Sequence, residues 1–429
     1  MTNDPRVVIL GAGFGGLAAA KTLAHAPARV TVIDRRNHHL FQPLLYQVAT
    51  AGLAPSQIAT PIRAIVRKQK NTGVVLGTVD GIDTRAKEVV LGDRRVPFDY
   101  LIVATGARHA YFGHDDWEAN APGLKTLEDA TDQRKRILLC FERAELEPDP
   151  EERKRLTTFV IIGGGPTGVE TAGAIAELAK KALARDYRRI DPKSARIILI
   201  EAAPRLLGAF PETLAESARK SLEKLGVEVR VGKAVTNVDT SGVTLDTEHI
   251  GSRCVIWAAG VQSSPAARWL DIPADRAGRA IIGPDLRAPG RDDIFVIGDC
   301  AAVNDDDGKP LPGVAPVAKQ QGAYAARAIK AALNGERIDK PFRYVDYGNL
   351  ATVGRKAAVA DFRGFRLTGF IGWLVWCAAH IYYLIGFKNR IAVALDWTWS
   401  YLTFERGARL ITGDIAPTNQ SAEANRDAA

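Results

Sequence analysis

Gly11-Ala12-Gly13-Phe14-Gly15-Gly16 follows the apolar run Val7–Leu10 and opens an Ala-rich stretch reaching about His25. The spacing is Gly-x-Gly-x-x-Gly, and its surroundings give it meaning. Val7–Leu10 reads as a buried parallel strand, Gly15 to about His25 as a helix, and Arg29–Ile33 as the next strand, closed by Asp34. In such a unit the first glycine permits the tight turn, the second lets a pyrophosphate reach the backbone, and the third lets the helix pack closely on the strand. The phosphates then meet the N–H groups and positive dipole end of the helix. Asp34 stands where an adenosine ribose offers its hydroxyls.

The pattern returns about 150 residues later. Phe159–Ile162 is a strand, Gly163-Gly164-Gly165-Pro166-Thr167-Gly168 the turn, Val169 to about Arg185 a helix, and Ala195–Ile200 a strand ending at Glu201. The chain therefore carries an internal duplication of one nucleotide-binding unit. An acid at position 201 accepts a free 2′-hydroxyl and repels a 2′-phosphate, so NADH is expected rather than NADPH; Arg205 is the nearby cation that speaks for the opposite. A nicotinamide site beside a flavin site allows hydride to pass from C4 to N5, whereas two nicotinamide sites would do little together. The turns alone leave open which unit takes which cofactor.

Composition bounds the rest. The 429 residues are 46% hydrophobic and 25% charged, a globular composition with room for two or three domains. Cys140, Cys254, Cys300 and Cys377 are far apart in sequence, which excludes a local Cys-x-x-Cys pair and argues against a zinc or iron–sulfur site; no metal is expected. The start of the chain shows no secretory signal. The net charge of +8 invites a nucleic-acid reading, but its distribution opposes it. Residues 340–410 hold ten Lys/Arg and four Asp/Glu, so a net +6 sits in the most aromatic and apolar part of the chain. Basic plus apolar points to an anionic membrane surface, and no nucleic-acid partner is expected.

Four features in order carry a resemblance: the first glycine-rich unit, Tyr100-Leu101-Ile102-Val103-Ala104-Thr105-Gly106-Ala107, the second unit, and Asp293–Asp299 with its Gly298-Asp299 pair. Together they resemble the two-dinucleotide-binding-domain flavoproteins over about residues 6–335. The resemblance implies an α/β fold of two Rossmann-like domains, the second inserted in the first, with FAD in the first and NADH in the second. The implied FAD contacts are Gly11, Gly13, Phe14, Gly15, Gly16, Asp34, Arg35, Gln47, Ala104, Thr105, Gly106, Gly298, Asp299 and Ala318. The implied NADH contacts are Gly163, Gly165, Pro166, Thr167, Gly168, Glu201, Ala259 and Gly260. The implied domains are 1–122 with 285–345 for FAD, 123–284 for NADH, a membrane-associating helical segment 346–412, and a disordered tail 413–429.

Within that superfamily three segments are similar to type II NADH dehydrogenases, the single-subunit NADH:quinone oxidoreductases. They are His39–Ala49, Val160–Glu170 and Ala315-Pro316-Val317-Ala318-Lys319-Gln320-Gln321. The last resembles an Ala-Gln-x-Ala-x-Gln helix start with Pro316 in place of the first Gln, leaving Gln320 as the matching quinone-side residue. Disulfide reductases and sulfide:quinone oxidoreductases need cysteines beside the flavin; Cys300, next to Asp299, has no partner in sequence. The resemblance implies FAD as cofactor, NADH as substrate and a membrane quinone, ubiquinone or menaquinone, as acceptor. The alternative is a soluble NADH-dependent flavoprotein reductase serving a protein or oxygen.

Residues 367–387 contain no Lys, Arg, Asp or Glu but include Trp373, Trp376, His380, Tyr382 and Tyr383. The length permits a span, but His380 and the spread of the aromatics argue against one. A second apolar run, Ile391–Leu402, is broken by Asp396. Two short amphipathic elements lying in the interface are expected, giving monotopic attachment to the cytoplasmic face of the inner membrane without proton pumping. A homodimer stays open. Glu170 is a candidate proton donor if buried near the flavin, or else an acid held by the helix dipole. Lys388 is placed either at the quinone, balancing Glu170, or at lipid headgroups. Tyr46 and Gln47 border the quinone or simply pack.

Overall fold

A computed structural model describes residues 4–338 and 340–413. The tail expected to be disordered lies, from residue 414 on, outside the described residues.

The first unit is β1 (Arg6–Leu10), α1 (Phe14–Thr22) and β2 (Arg29–Asp34), followed by a short helix α2 (Leu45–Ala49). β3 (Thr72–Leu76) and β4 (Tyr100–Val103) join the same sheet, and β5 (Ala107–His109) leaves it. α3 (Leu127–Leu146) leads to the second unit: β6 (Thr158–Ile162), α4 (Pro166–Glu177), β7 (Arg196–Glu201), β8 (Val227–Val231) and β9 (Cys254–Trp257). β10 (Val261–Ser263) pairs antiparallel with β5, and β11 (Ile294–Val296) returns to the first sheet. α5 (Ala315–Leu333) follows, then an antiparallel meander of β12 (Asn349–Thr352), β13 (Ala358–Phe362) and β14 (Phe365–Thr368), and two helices, α6 (Gly369–Tyr383) and α7 (Phe387–Thr403).

The two sheets are parallel, in the orders β11-β4-β1-β2-β3 and β8-β7-β6-β9. In each, the strand entering the glycine turn is central, which is why Val7–Leu10 and Phe159–Ile162 are apolar without alternation: helices cover both faces. Each sheet has its own core. Ala266, Ala267, Leu270, Ala280 and Ile282 pack in the first core, so the chain is back in the FAD unit about twenty residues before the expected return at 285.

The C-terminal segment differs from its expectation in one respect. It opens with the β12–β14 meander rather than being helical throughout. Its four- and five-residue strands are of mixed polarity and carry no clear period, so only the tertiary contact with α4 and α6 reveals them. Among the described residues no helix is long and apolar enough to cross a membrane. α6 and α7 are instead bound sideways to the body. Trp397 Nε1 donates to Gln47 Oε1 at 2.8 Å, and Arg406 Nη1 donates to the Thr50 carbonyl at 2.7 Å. Their outer faces stay bare: Ile371, Leu374, Tyr382, Phe387, Leu395, Trp399 and Leu402 are all exposed.

Candidate active site

Both glycine turns are built identically. In the first, Asp34 Oδ2 accepts the Ala12 N–H at 2.6 Å and Oδ1 the Arg36 N–H at 2.8 Å. In the second, Glu201 Oε2 accepts the Gly164 N–H at 2.5 Å and Oε1 the Ala203 N–H at 2.7 Å. Each acid thus spends part of its capacity fixing its own loop, which pre-positions the remaining lone pairs for a ribose. The third glycines are packing requirements. A Cβ on Gly16 would lie 1.8 Å from the Gly11 carbonyl oxygen, and one on Gly168 would lie 1.8 Å from that of Gly163. The middle glycines, Gly13 and Gly165, face open space, as a cradle for pyrophosphate requires. The residues present therefore fit one dinucleotide per unit.

Several of the other expected FAD contacts lie near the first loop. Ala104 N–H donates to Leu10 O at 2.8 Å, and Thr105 and Ser264 share a hydroxyl hydrogen bond at 2.6 Å. Ala318 is buried beside Gly15, its carbonyl 3.1 Å from where a Gly15 Cβ would sit. Asp299 forms an ion pair with Lys125 at 3.4 Å. A cavity of about 110 Å³ lies between Gly298, Asp299, Val317, Gln321 and Ser263. Arg35 is exposed at the end of β2. Pro166 and Thr167 start α4 at the second loop, and Ala259 and Gly260 follow β9 beside it: a Cβ on Gly163 would meet Ala259 N at 2.7 Å.

Glu170 is buried, near the start of α4. Burial pushes its carboxyl up to about 8, against the smaller opposing pull of the Thr352 N–H and the Trp376 indole. The Thr352 N–H reaches Glu170 Oε1 at 3.4 Å, while Trp376 Nε1, also buried, meets no acceptor at full hydrogen-bond geometry. Tyr46 is buried with it; desolvation and then the nearby Glu170 charge raise the phenol well above its ordinary value. Gln47 Nε2 donates to Tyr46 Oη at 2.9 Å, so buried Glu170 and Tyr46 and half-buried Gln47 and Trp397 form one polar group shared by α4, α2 and α7.

An aromatic path runs from this group to the first loop. Trp397 lies 5.3 Å from Trp376, which stacks on His380 at 4.0 Å. His380 meets Phe41 at 6.2 Å, and Phe41 meets Phe14, the fourth residue of the first loop, at 5.9 Å. Burial holds His380 and His39 down to about 4, so both imidazoles are neutral at ordinary pH and the path carries no charge.

Gln320 and Lys388 lie outside the group around Glu170. Gln320 exchanges two hydrogen bonds with Val345, Nε2 to O at 2.8 Å and Oε1 from N at 2.9 Å. Lys388 is exposed in the first turn of α7 with no ion pair to Glu170. Sequence reasoning gave no site role to Gln321, Lys125, Thr352, Trp376 or Arg406. Gln321 left a signal as the neighbour of Gln320, and Trp376 as part of the charge-free aromatic run; the others come from segments without a motif.

Two dinucleotide cradles, one unit interrupting the other, define a pyridine nucleotide–flavin oxidoreductase. Accordingly, the family model of pyridine nucleotide-disulphide oxidoreductases matches residues 5–322, and that of the NDH2 C-terminal domain matches residues 347–406. The type II NADH:quinone oxidoreductase Ndh of Mycobacterium tuberculosis is 47% identical over 426 residues, covering 96% of this chain and 91% of that one. The NdhA enzyme of the same organism is 44% identical, covering 96% and 90%. NDH2 from Plasmodium falciparum, solved in complex with NADH, superposes with a TM-score of 0.85 at 20% identity, covering 96% and 100%, a likeness of fold. The chain belongs to the type II NADH:quinone oxidoreductase family. It is an FAD-dependent NADH dehydrogenase, its acceptor is a quinone, and its family is membrane-associated.

Proposed function

We propose that the chain oxidises NADH at the second loop and reduces a quinone that arrives along the aromatic path from the bilayer. The observation that carries this reading is the continuity of the path, Trp397–Trp376–His380–Phe41–Phe14, from the helices with the bare apolar face to the loop of the first cradle. FAD, when bound, supplies a ring that accepts a hydride equivalent on one side and gives up two electrons on the other.

The chain's own residues then have these roles. Gly165, Thr167 and Gly168 present backbone N–H groups to the NADH pyrophosphate, Gly163 permits the turn, Pro166 starts the helix behind it, and Glu201 holds the adenosine ribose. Gly11, Gly13, Phe14, Gly15, Gly16 and Asp34 do the same for FAD, with Ala104, Thr105, Gly106, Gly298, Asp299 and Ala318 lining the ring side. Glu170, protonated near neutral pH, holds a proton that can be delivered through Tyr46 toward quinone, where two are needed. Gln320 fixes Val345 and thereby the strap leading to β12, which makes it a positioning residue. Lys388 sits at lipid headgroups.

α6 and α7 lie in the cytoplasmic face of the membrane with Leu374, Leu395, Trp399 and Leu402 in lipid. This apolar face is assigned to lipid rather than to a second copy, and the enzyme pumps no protons. The FAD domain runs over 1–122 and resumes near residue 261; the NADH domain lies between, and 346–412 forms the anchor. An absorption experiment tests the reading: the flavin bands bleach on NADH and return on a short-chain quinone. Return with ferricyanide but not with quinone defeats it.

A further inference from the structure

Phe112 is the most conspicuous apolar side chain of the FAD–NADH junction. It is 71% exposed, and its φ of 54° is in the left-handed region, uncommon for a bulky residue and found where the surroundings impose it. The imposition is visible. The preceding β5 is tied into the ribbon with β10. Trp257 Nε1 donates to the Ala110 carbonyl at 3.0 Å, Tyr111 Oη donates to the Ala121 carbonyl at 2.9 Å, and the Tyr111 ring lies 4.9 Å from Trp257. The backbone leading into it is clamped, and the Phe112 ring, 6.3 Å from Trp257, stands largely in solvent.

The ring leans over the end of β9. A Cβ added to Gly260 would lie 2.4 Å from Phe112 Cζ and 3.1 Å from both Cε atoms, so the tip of the ring points at the Gly260 Cα. Ala258 and Ala259, just before Gly260, adjoin the first glycine of the second loop, since a Cβ on Gly163 would meet Ala258 C at 2.6 Å and Ala259 N at 2.7 Å. In the order β8-β7-β6-β9, Glu201 ends β7 on one side of the loop and Gly260 follows β9 on the other. A dinucleotide whose adenosine ribose is at Glu201 must cross the carboxyl edge of the sheet toward β9. Its nicotinamide half therefore passes the Phe112 ring, on the side where β5 and β10 lead to the first unit.

We propose that Phe112 is the residue that recognises the nicotinamide half of NADH, its ring packing on the nicotinamide riboside as the dinucleotide is drawn toward the first cradle. The proposal rests on the placement of NADH in the second loop. Before binding the ring covers Gly260, and on binding it exchanges that contact and its water for the flat face of the substrate. Val261, 49% exposed beside it, extends the apolar contact.

Phe112→Ala and Phe112→Tyr are compared with the native FAD-loaded enzyme, using NADH and reduced nicotinamide mononucleotide as donors and ADP-ribose as inhibitor. Phe112→Ala raises KM for both donors about ten-fold, the scale of one lost base–aromatic stack. The ADP-ribose inhibition constant stays unchanged, and Phe112→Tyr restores the native KM. Equal weakening of ADP-ribose, an unchanged KM in Phe112→Ala, or a failure of Phe112→Tyr to rescue overturns the proposal. Glu201→Ala separates the two levels. If it weakens ADP-ribose while Phe112→Ala alters nothing, NADH is in the loop and only the role of Phe112 falls. If Glu201→Ala leaves ADP-ribose and NADH untouched, the placement itself falls.

Discussion

Gln321 Oε1 accepts the backbone N–H of Gly298 at 2.7 Å. This bond fastens the start of α5 to the Gly298-Asp299 turn, and the adjacent Gln320 faces the other way, toward Val345. Gln321→Leu leaves a part-buried N–H without its acceptor beside the cavity at Asp299, at a cost of about 1–3 kcal/mol. The expected outcome is easier loss of FAD on dilution, read by flavin fluorescence, together with a lowered melting temperature. Gln320→Leu sits at a half-exposed site and lowers stability less; FAD retention equal in the two variants would contradict the geometry.

Glu170 makes stability depend on pH in a defined direction. Its folded-state pKa, about 8, lies above the ordinary 4.5, so between these values the folded state binds more proton than the unfolded one. Its contribution is therefore full below about pH 4.5 and falls as pH rises toward 8. Glu170→Gln removes this dependence. Melting curves across pH 5–9 should show the variant gaining on the native protein as pH rises, with the pH profile of quinone reduction altered over the same range.

Arg406 is buried against Glu177, with the pair 3.3 Å apart and 8% and 13% of the two side chains exposed. Its Nη1 also holds the Thr50 carbonyl, so one guanidinium joins the anchor to both dinucleotide units. Arg406→Ala leaves the Glu177 carboxylate without its partner and should cost about 3–5 kcal/mol. Chemical denaturation measures this; the double variant Arg406→Leu/Glu177→Leu should recover much of the loss.

Glu201 fixes the second loop and, with NADH placed there as proposed, repels a 2′-phosphate. Glu201→Gln keeps the side-chain size and one of the two loop hydrogen bonds, turns an NH2 donor toward the other backbone N–H, and removes the repulsion, the charge-assisted bond being worth roughly 1.5 kcal/mol. The ratio of kcat/KM for NADH over NADPH should fall by about ten-fold. An unchanged ratio would place selectivity elsewhere, for instance at Arg205.

The membrane face calls for substitution rather than truncation, because Trp397 and Arg406 tie the anchor into the body. Leu374, Leu395 and Leu402 are 48%, 64% and 70% exposed. Replacing all three with Ser should shift the protein from vesicles to solution in a flotation assay. At solvent-facing positions the melting temperature should change little, each substitution being within about 0.5 kcal/mol.

The sequence by itself determined the two dinucleotide units. Gly-x-Gly-x-x-Gly after an apolar strand, with Asp34 or Glu201 ending the next, is a local pattern whose physics is complete within some 30 residues. The helix α6 was legible for the same reason, as a charge-free aromatic run. Tertiary structure alone decided which residues gather around Glu170, because Tyr46, Thr352, Trp376 and Trp397 come from four distant segments joined by packing rather than spacing. It also decided between Gln320 and Gln321. The two are one residue and about 100° apart on α5, and the helix rotation that turns Gln321 inward is set by the close approach of α1 and α5, where a Cβ on Gly322 would lie 2.1 Å from the Gly15 carbonyl oxygen.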